Sequence, residues 1–303
     1  MSNNGKNKVL GRGEKAQNRL YLIFVLPALI WVAVFIVYPF FYSIYISMTN
    51  MKLQSIIKAR FIGLDNFLKL FSMEQFWNST MTTIKFTVVV IIFQFALGFL
   101  LALLLNKTLR LTGIVRTVVM IPWVVPPIAL GLTWQWIYAG GSTGLLNAVV
   151  VQLGGKPINW LGTDVALLSV IISTVWIGIP FSFMLELAGL QKIPSHLYEA
   201  ASIDGADSLQ KSWYVTLPMM KSTFLVNWIM ITIGTLGYFD VIFALTNGGP
   251  QNVTEVLPLY MYHTAFKYFF LGRGASIAVV MLVLCLGFTF VYLKLFGSDE
   301  KGA

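Results

Sequence analysis

The side chains able to carry out covalent or metal chemistry are few among these 303 residues, and their spacing matches no catalytic site. The two histidines, His196 and His263, fall in different predicted loops, which leaves no metal site and no Ser-His-Asp arrangement. Cys285 is the single cysteine, which excludes an intrachain disulfide. The sequence GGK at 154–156 lacks the first glycine of a phosphate-binding loop. We therefore expect no enzymatic activity, and any ATP hydrolysis would belong to a partner.

A polar insert, EAASIDGADSLQKSWYVTLP over residues 199–218, separates two strongly apolar segments. Ser195 is predicted to be the N-cap of a first short helix, and Gly205 permits that helix to stop and the chain to turn. A second helix is predicted from near Asp207 to Pro218. The insert is thus expected to be a helix–turn–helix, and its cytoplasmic loop to cover residues 191–221.

This helix–turn–helix has two interpretations. It is either a solvated loop lying on the membrane surface or a docking element that inserts into a protein partner. Ala200 and Ala201 are small enough to let another surface approach closely, which suits docking.

Polar and aromatic residues also occur inside the apolar segments, where they are costly and often mark a solute pathway. The segment 173–182 combines aromatic rings, on which a sugar could stack, with a hydroxyl group and a glycine that leaves space beside the backbone. They are either a solute pathway or ordinary helix packing, in which small and hydroxylated residues also occur at interfaces. The candidates are Thr174, Trp176, Gly178 and Phe181.

A later segment adds a second group of pathway candidates, namely Asn227, Gly234, Thr235, Gly237, Tyr238 and Asp240. Asp240 is either a charge near the membrane interface or part of a gate. Glu186 lies toward the predicted cytoplasmic end of its segment and is expected to face water. Gln94 is a weaker pathway candidate.

The elements that must hold these residues are transmembrane helices. Hydrophobic residues make up 57% of the chain and charged residues 11%, which no soluble fold of this size could cover. The sequence predicts an all-α, polytopic membrane protein with a permease domain over 20–296. The first apolar run is expected to be retained as an anchor. The predicted spans are about 20–48, 81–106, 114–139, 164–190, 222–246 and 274–296.

Basic residues determine the predicted orientation. Lysine and arginine are more numerous in the tails, 1–19 and 297–303, and in the loops on the same side. Both termini are therefore expected in the cytoplasm. The basic residues flank apolar segments and form no stripe with aromatics, so we expect no nucleic-acid partner despite the net charge of +9.

The polar insert resembles the EAA loop of permease subunits from binding-protein-dependent ABC importers. The shared pattern is E-A-A-x-x-x-G followed by Leu-Pro. The segments FIGLDNFLKLF (61–71), VRTVVMIPWVVPPIALGLTWQWIY (115–138) and TNGGP (246–250) are similar to the maltose/glycerol-phosphate-type carbohydrate branch. The resemblance implies the type I importer permease fold. It also implies an ATPase-coupling role for Glu199, Ala200, Ala201, Asp204, Gly205, Leu217 and Pro218.

The same resemblance extends the list of pathway candidates. Residues 174–181 are similar to a maltose-type N-x-W-L-G-x-P-Y stretch that lines a sugar cavity, which adds Ile177 to the candidates. Ile231, Gly234 and Thr235 stand where that pattern has Ser, Phe and Asn, so maltose itself is not implied.

The family resemblance implies an ATP-driven importer of an oligosaccharide or glycoside in a bacterial inner membrane. The implied partners are a second homologous permease, two ATPase subunits that bind ATP and Mg²⁺, and an extracytoplasmic solute-binding protein. This chain would hold no cofactor. The alternatives are an ABC permease for a non-sugar solute, such as glycerol phosphate or a polyamine, and an ion-coupled secondary transporter.

Overall fold

The structure is a computed structural model that describes residues 24–54, 59–106, 112–141 and 144–296. The described part of the chain is almost entirely helical, apart from loops and an isolated bridge between Thr49 and Phe61. The predicted all-α fold class is therefore confirmed. The predicted tails, 1–19 and 297–303, lie outside the described residues.

The helices of the described residues are numbered in chain order. Three of them include or continue into a π-helical turn, at Ala33–Val37, Ser212–Thr216 and His263–Lys267. The helices are α1 (Phe24–Ser47), α2 (Asp65–Phe71), α3 (Glu74–Leu105), α4 (Thr112–Val124), α5 (Pro127–Ile137), α6 (Leu145–Gln152), α7 (Ala166–Gln191), α8 (Ser195–Ile203), α9 (Ser208–Leu236), α10 (Asp240–Leu245), α11 (Leu257–Tyr262) and α12 (Leu271–Phe296).

Five helices of the described residues are each long and apolar enough to cross a bilayer, namely α1, α3, α7, α9 and α12. The pair α4 and α5 provides a sixth crossing if the two are counted as one broken span. About 20 helical residues cover 30 Å, the thickness of the hydrocarbon core. The described helices thus supply five or six crossings, which accommodates the expected six-span permease.

The third predicted span, 114–139, is not one helix. α4 and α5 meet at a bend of 98°. Pro126 has φ −56° and ψ 134°, outside the helical region, and Pro127 begins the next helix. A proline disfavours helical geometry in the residue before it and offers no N–H, so two consecutive prolines end α4 and redirect the chain.

Other helices also differ from the predicted spans in length. α3 begins at Glu74, before the predicted residue 81. α9 begins at Ser208 and ends at Leu236, and part of the predicted segment up to 246 forms the separate helix α10. Helix ends do not define the membrane surface, so the span limits and their sidedness stay predictions.

The core of the bundle is the contact between α3 and α7, with α9 packed against both. Phe86, Val90, Val170 and Ile231 from these three helices belong to one buried cluster. α1 contacts α12 and is otherwise exposed along its apolar length, which suits lipid or another protein subunit.

Gly98 allows the close approach of α3 to α7, and a methyl group there should destabilise the protein. A Cβ at this position would lie 2.6 Å from Ser182 Cβ and 3.1 Å from the backbone nitrogen of Phe183, so the helices would have to separate. We expect Gly98→Ala to cost about 1–3 kcal/mol, seen as a lower thermal midpoint of the purified protein. Gly287→Ala is the control, because its added Cβ meets nothing within 4 Å. Equal midpoints for both variants would contradict the packing.

Candidate functional site

A cavity of about 370 Å³ lies among α3, α4, α7 and α9. Its volume falls within the range of ligand pockets, about 300–1,000 Å³. Nine of the thirteen predicted pathway residues line it, one of them Gln94 on α3. On α7 they are Thr174, Ile177, Gly178 and Phe181, and on or directly after α9 they are Ile231, Gly234, Thr235 and Tyr238.

Helical spacing explains why these residues come together. Residues three, four and seven apart share one face of a helix, and each group of four follows that spacing. The two helices turn these faces toward the same space. The structure therefore places in one cavity two groups of candidate residues that the sequence could only identify separately.

Four predicted pathway residues do not line this cavity, namely Trp176, Asn227, Gly237 and Asp240. Trp176 lines a different cavity with Pro122, and its ring packs edge-on against Trp134 with centroids 5.7 Å apart. Trp176 is two residues after Thr174, and two residues correspond to a rotation of about 200° around an α-helix. The two side chains therefore lie on opposite faces of α7 and line different cavities. Asp240 is exposed in the first turn of α10, where a carboxylate interacts favourably with the helix dipole.

Three lining residues were missed by sequence reasoning, namely Trp123, Met230 and Ile233. Trp123 sits just before the end of α4, and its ring centroid is 6.3 Å from that of Phe181. The available signal was the proline pair that follows, because the break in the helix leaves the indole beside the cavity.

The polar groups on α3, α7 and α9 that line the cavity are positioned as hydrogen-bond acceptors. Thr174 Oγ1 donates its proton to the Val170 carbonyl at 2.9 Å, and Thr235 Oγ1 donates to the Ile231 carbonyl at 2.9 Å. The oxygen lone pairs of both hydroxyls remain able to accept. Among the described residues, no aspartate, glutamate, lysine, arginine or histidine lines this cavity.

The predicted coupling loop has one anchored face and one exposed face. In α8, Tyr198 packs against the buried cluster that contains Met220, and its hydroxyl lies 2.9 Å from Thr216 Oγ1. Glu199 and Ala200 are exposed, while Ala201 is partly exposed. Glu199 is therefore accessible to a partner, although its role stays a prediction.

The start of α8 differs from the prediction. Ser195 is the first helical residue, not the N-cap. The N-cap is Pro194, which has no side-chain cap hydrogen bond. At the other end Asp204 is the C-cap, and Gly205 follows with φ +80°, a left-handed conformation that favours glycine.

The second helix of the loop starts as predicted. Asp207 is its N-cap, and a reciprocal capping box joins it to Gln210, with both hydrogen bonds at 2.8 Å. The prediction that this helix ends near Leu217 and Pro218 is wrong, because α9 continues to Leu236. A π-helical turn, Ser212–Thr216, precedes the proline and lets the helix pass through it.

Large apolar side chains are exposed on both sides of the turn at Gly205. Ile203 is 88% exposed and Tyr214 is 80% exposed, and Leu209 and Trp213 are also exposed. Exposed apolar patches mark sites of protein or membrane interaction. This surface is contiguous in sequence with the residues expected to dock.

His263 belongs to a structural cluster and not to an exposed loop. Its Nδ1 lies 2.8 Å from Glu255 Oε1 and its Nε2 lies 3.2 Å from Asn247 Oδ1. Gln75 donates a hydrogen bond to the same carboxylate, which ties the start of α3 to the 247–255 loop. In the described ranges, no three His, Cys, Asp or Glu side chains are grouped as metal ligands.

The comparisons with known sequences agree with the family resemblance. The profile described as "Binding-protein-dependent transport system inner membrane component" matches residues 94–295. A trehalose/maltose transport system permease protein of Thermococcus litoralis is 40% identical over 298 residues, covering 97% of this chain and 98% of the relative. A trehalose transport system permease protein of Mycobacterium tuberculosis is 30% identical over 287 residues, covering 95% of this chain and 92% of the relative.

A solved structure has the same fold. It is a bacterial ABC transporter involved in the import of the acidic polysaccharide alginate, with a TM-score of 0.81 and 23% identity. The match covers 95% of this chain and 99% of the other. Given the family profile and the near full-length relatives, the chain belongs to the family of binding-protein-dependent transport system inner membrane components.

Proposed function

We propose that this chain is the permease subunit of an ATP-driven importer of neutral sugars, such as a disaccharide or glycoside. One observation carries the proposal: α9 runs without a break from the exposed turn at Gly205 to the cavity face that bears Thr235. A movement imposed on the turn by a partner is thereby transmitted to the cavity. Relatives described as trehalose or maltose permeases support the solute class.

The chemistry of the cavity favours a neutral polyol over the alternative solutes. Acceptor oxygens suit solute hydroxyls, which donate, and the apolar remainder of the lining suits the C–H faces of a sugar. A phosphate would need a cation or several donors. The described lining offers neither lysine nor arginine, and besides the Gln94 amide its side-chain donors are the Tyr238 hydroxyl, the Trp123 indole and two threonine hydroxyls that already donate to carbonyls. A polyamine would need carboxylates, and the described lining has none.

The proposed importer contains a second homologous permease, two ATPase subunits that bind ATP and Mg²⁺, and an extracytoplasmic binding protein. Both termini and the turn at Gly205 lie on the cytoplasmic side of a bacterial inner membrane. Glu199 pairs with a basic group of the ATPase, while Ala200 and Ala201 pack into its cleft. Closure of the ATPases moves α8, and α9 then changes the cavity's access from one side to the other.

The test is uptake into proteoliposomes that contain the complete importer, with the binding protein outside and ATP inside. Labelled trehalose and maltose are compared with glycerol 3-phosphate and spermidine. We expect ATP-dependent accumulation of at least one disaccharide, unchanged when an ionophore collapses the ion gradients. Transport of only glycerol 3-phosphate or spermidine would overturn the solute class. Uptake driven by an ion gradient without ATP would instead indicate a secondary transporter.

A further inference from the structure

A chain of hydrogen bonds connects the cavity to a buried carboxyl group across three helices. Gln94 Nε2 on α3 donates to the Gly178 carbonyl and to Ser182 Oγ on α7, both at 3.0 Å. Ser182 Oγ donates to Asn227 Oδ1 on α9 at 3.2 Å, and Asn227 Nδ2 donates to Glu186 Oε1 at 2.8 Å. Glu186, which was expected to face water, is fully buried.

The orientation of the Gln94 amide follows from one group, and the other bonds of the chain are directed to match it. The Gly178 carbonyl can only accept, so the atom beside it must be the amide nitrogen of Gln94. That nitrogen also donates to Ser182, whose own proton is then left for Asn227 Oδ1. The amide of Asn227 is therefore turned with its nitrogen toward Glu186, which accepts.

This network leaves one atom of the Gln94 amide for another partner. Both hydrogen bonds of Gln94 to described residues use Nε2, which accounts for its two protons. The side chain lines the cavity together with Thr174 and Thr235, whose hydroxyl oxygens can also accept. Gly178 makes room for the amide, since a Cβ there would collide with Gln94 Oε1.

We propose that Gln94 Oε1 accepts a hydrogen bond from the transported solute and determines specificity for a hydroxyl group at that point. Ser182, Asn227 and Glu186 are positioning residues that hold the amide in the accepting orientation. The nature of the solute rests on the proposed function, whereas contact between Gln94 and the solute does not depend on which solute is carried.

Contact is tested by thiol protection in the complete importer, with Cys285→Ser as background and the cycle arrested by ATP and vanadate. In that background we expect Gln94→Cys to react with 2-aminoethyl methanethiosulfonate at least about tenfold faster than Val90→Cys, which is fully buried on the same helix. Trehalose or maltose should slow the reaction of the Gln94→Cys variant. Reaction no faster than at the buried control would overturn the proposal.

Accepting character is tested by comparing trehalose with its monodeoxy analogues. The intact importer should prefer trehalose to one analogue by about fivefold, the effect of one net hydrogen bond. Gln94→Met should remove that preference, because methionine has no oxygen that can accept a hydrogen bond from the solute. Gly178→Ala should behave like Gln94→Met because it displaces the amide, and Gly287→Ala should match the unmodified importer. An equal loss for trehalose and every analogue would indicate a merely structural role and contradict the proposal.

The outcomes separate this proposal from the proposed function. Protection of the Gln94→Cys variant by glycerol 3-phosphate or spermidine alone would refute the sugar assignment and leave the contact at Gln94 standing. Protection by none of the four probes would refute the contact, even if the importer transports trehalose normally.

Discussion

Gly205→Pro should abolish ATP-driven uptake while leaving the chain in the membrane. Gly205 has φ +80°, whereas proline is fixed near −65°, and its N–H donates to the Ser202 carbonyl at 3.2 Å, a bond that proline removes. The turn between α8 and α9 would have to reorganise, so the docking surface and the cavity helix would lose their fixed relation. The measurement is uptake by the complete importer, together with the amount of ATPase subunit that co-purifies.

The chain provides a matched control for this substitution. Gly154 has φ +83° just after the end of α6, and its N–H donates to the Val151 carbonyl at 2.9 Å. Gly154→Pro therefore imposes the same backbone change in the loop that precedes α7, on the predicted outer side. We expect it to retain most uptake. Normal uptake by Gly205→Pro, or equal losses at both glycines, would refute the coupling role of the turn.

Asn227→Leu should destabilise the protein more than any other single change in the buried network. It leaves Glu186 Oε1 without its donor, and Oε2 already has no partner among the described residues. Leaving a buried polar group unpaired costs about 1–3 kcal/mol, more when the group is charged. We expect a lower thermal midpoint of the purified protein and a several-fold loss of uptake.

A second substitution shows whether the loss comes from Glu186. Adding Glu186→Leu to Asn227→Leu removes the unpaired carboxyl, so the double variant should recover much of the thermal midpoint. Recovery of uptake is not expected, because the amide of Gln94 would lose its orientation. A double variant less stable than Asn227→Leu alone would show that the carboxyl is not the source of the cost.

Much of the architecture could be predicted because its signals are local. Long apolar runs predict helices that cross a membrane, and the EAA spacing with Gly205 predicts a turn, which the structure contains. The combination of aromatic, hydroxylated and small residues in one segment also predicted residues that line the cavity together, such as Thr174 and Gly178. The pattern assigned residues to a segment, however, and not to a face, so Trp176 was grouped with residues that it does not join.

The remaining features depend on contacts between distant segments or on backbone geometry that sequence does not specify. Proline is tolerated inside membrane helices, as at Pro218, so a proline by itself does not predict a break. At Pro126 the only local signal was the second proline that follows it. Burial of Glu186 depends on Asn227, which lies on another helix, and on the close approach of Gly98. Such partners become visible only when the helices are placed together.

The continuity of α9 also fixes a rotational phase between its two ends. An α-helix turns about 100° per residue, so the directions in which Asp207 and Thr235 point are linked by the number of residues between them. The π-helical turn Ser212–Thr216 holds an additional residue in that interval. One deletion there would turn the cavity face away from its present direction without altering a single lining side chain. The length of α9 in residues therefore fixes the direction of the cavity face relative to the turn at Gly205.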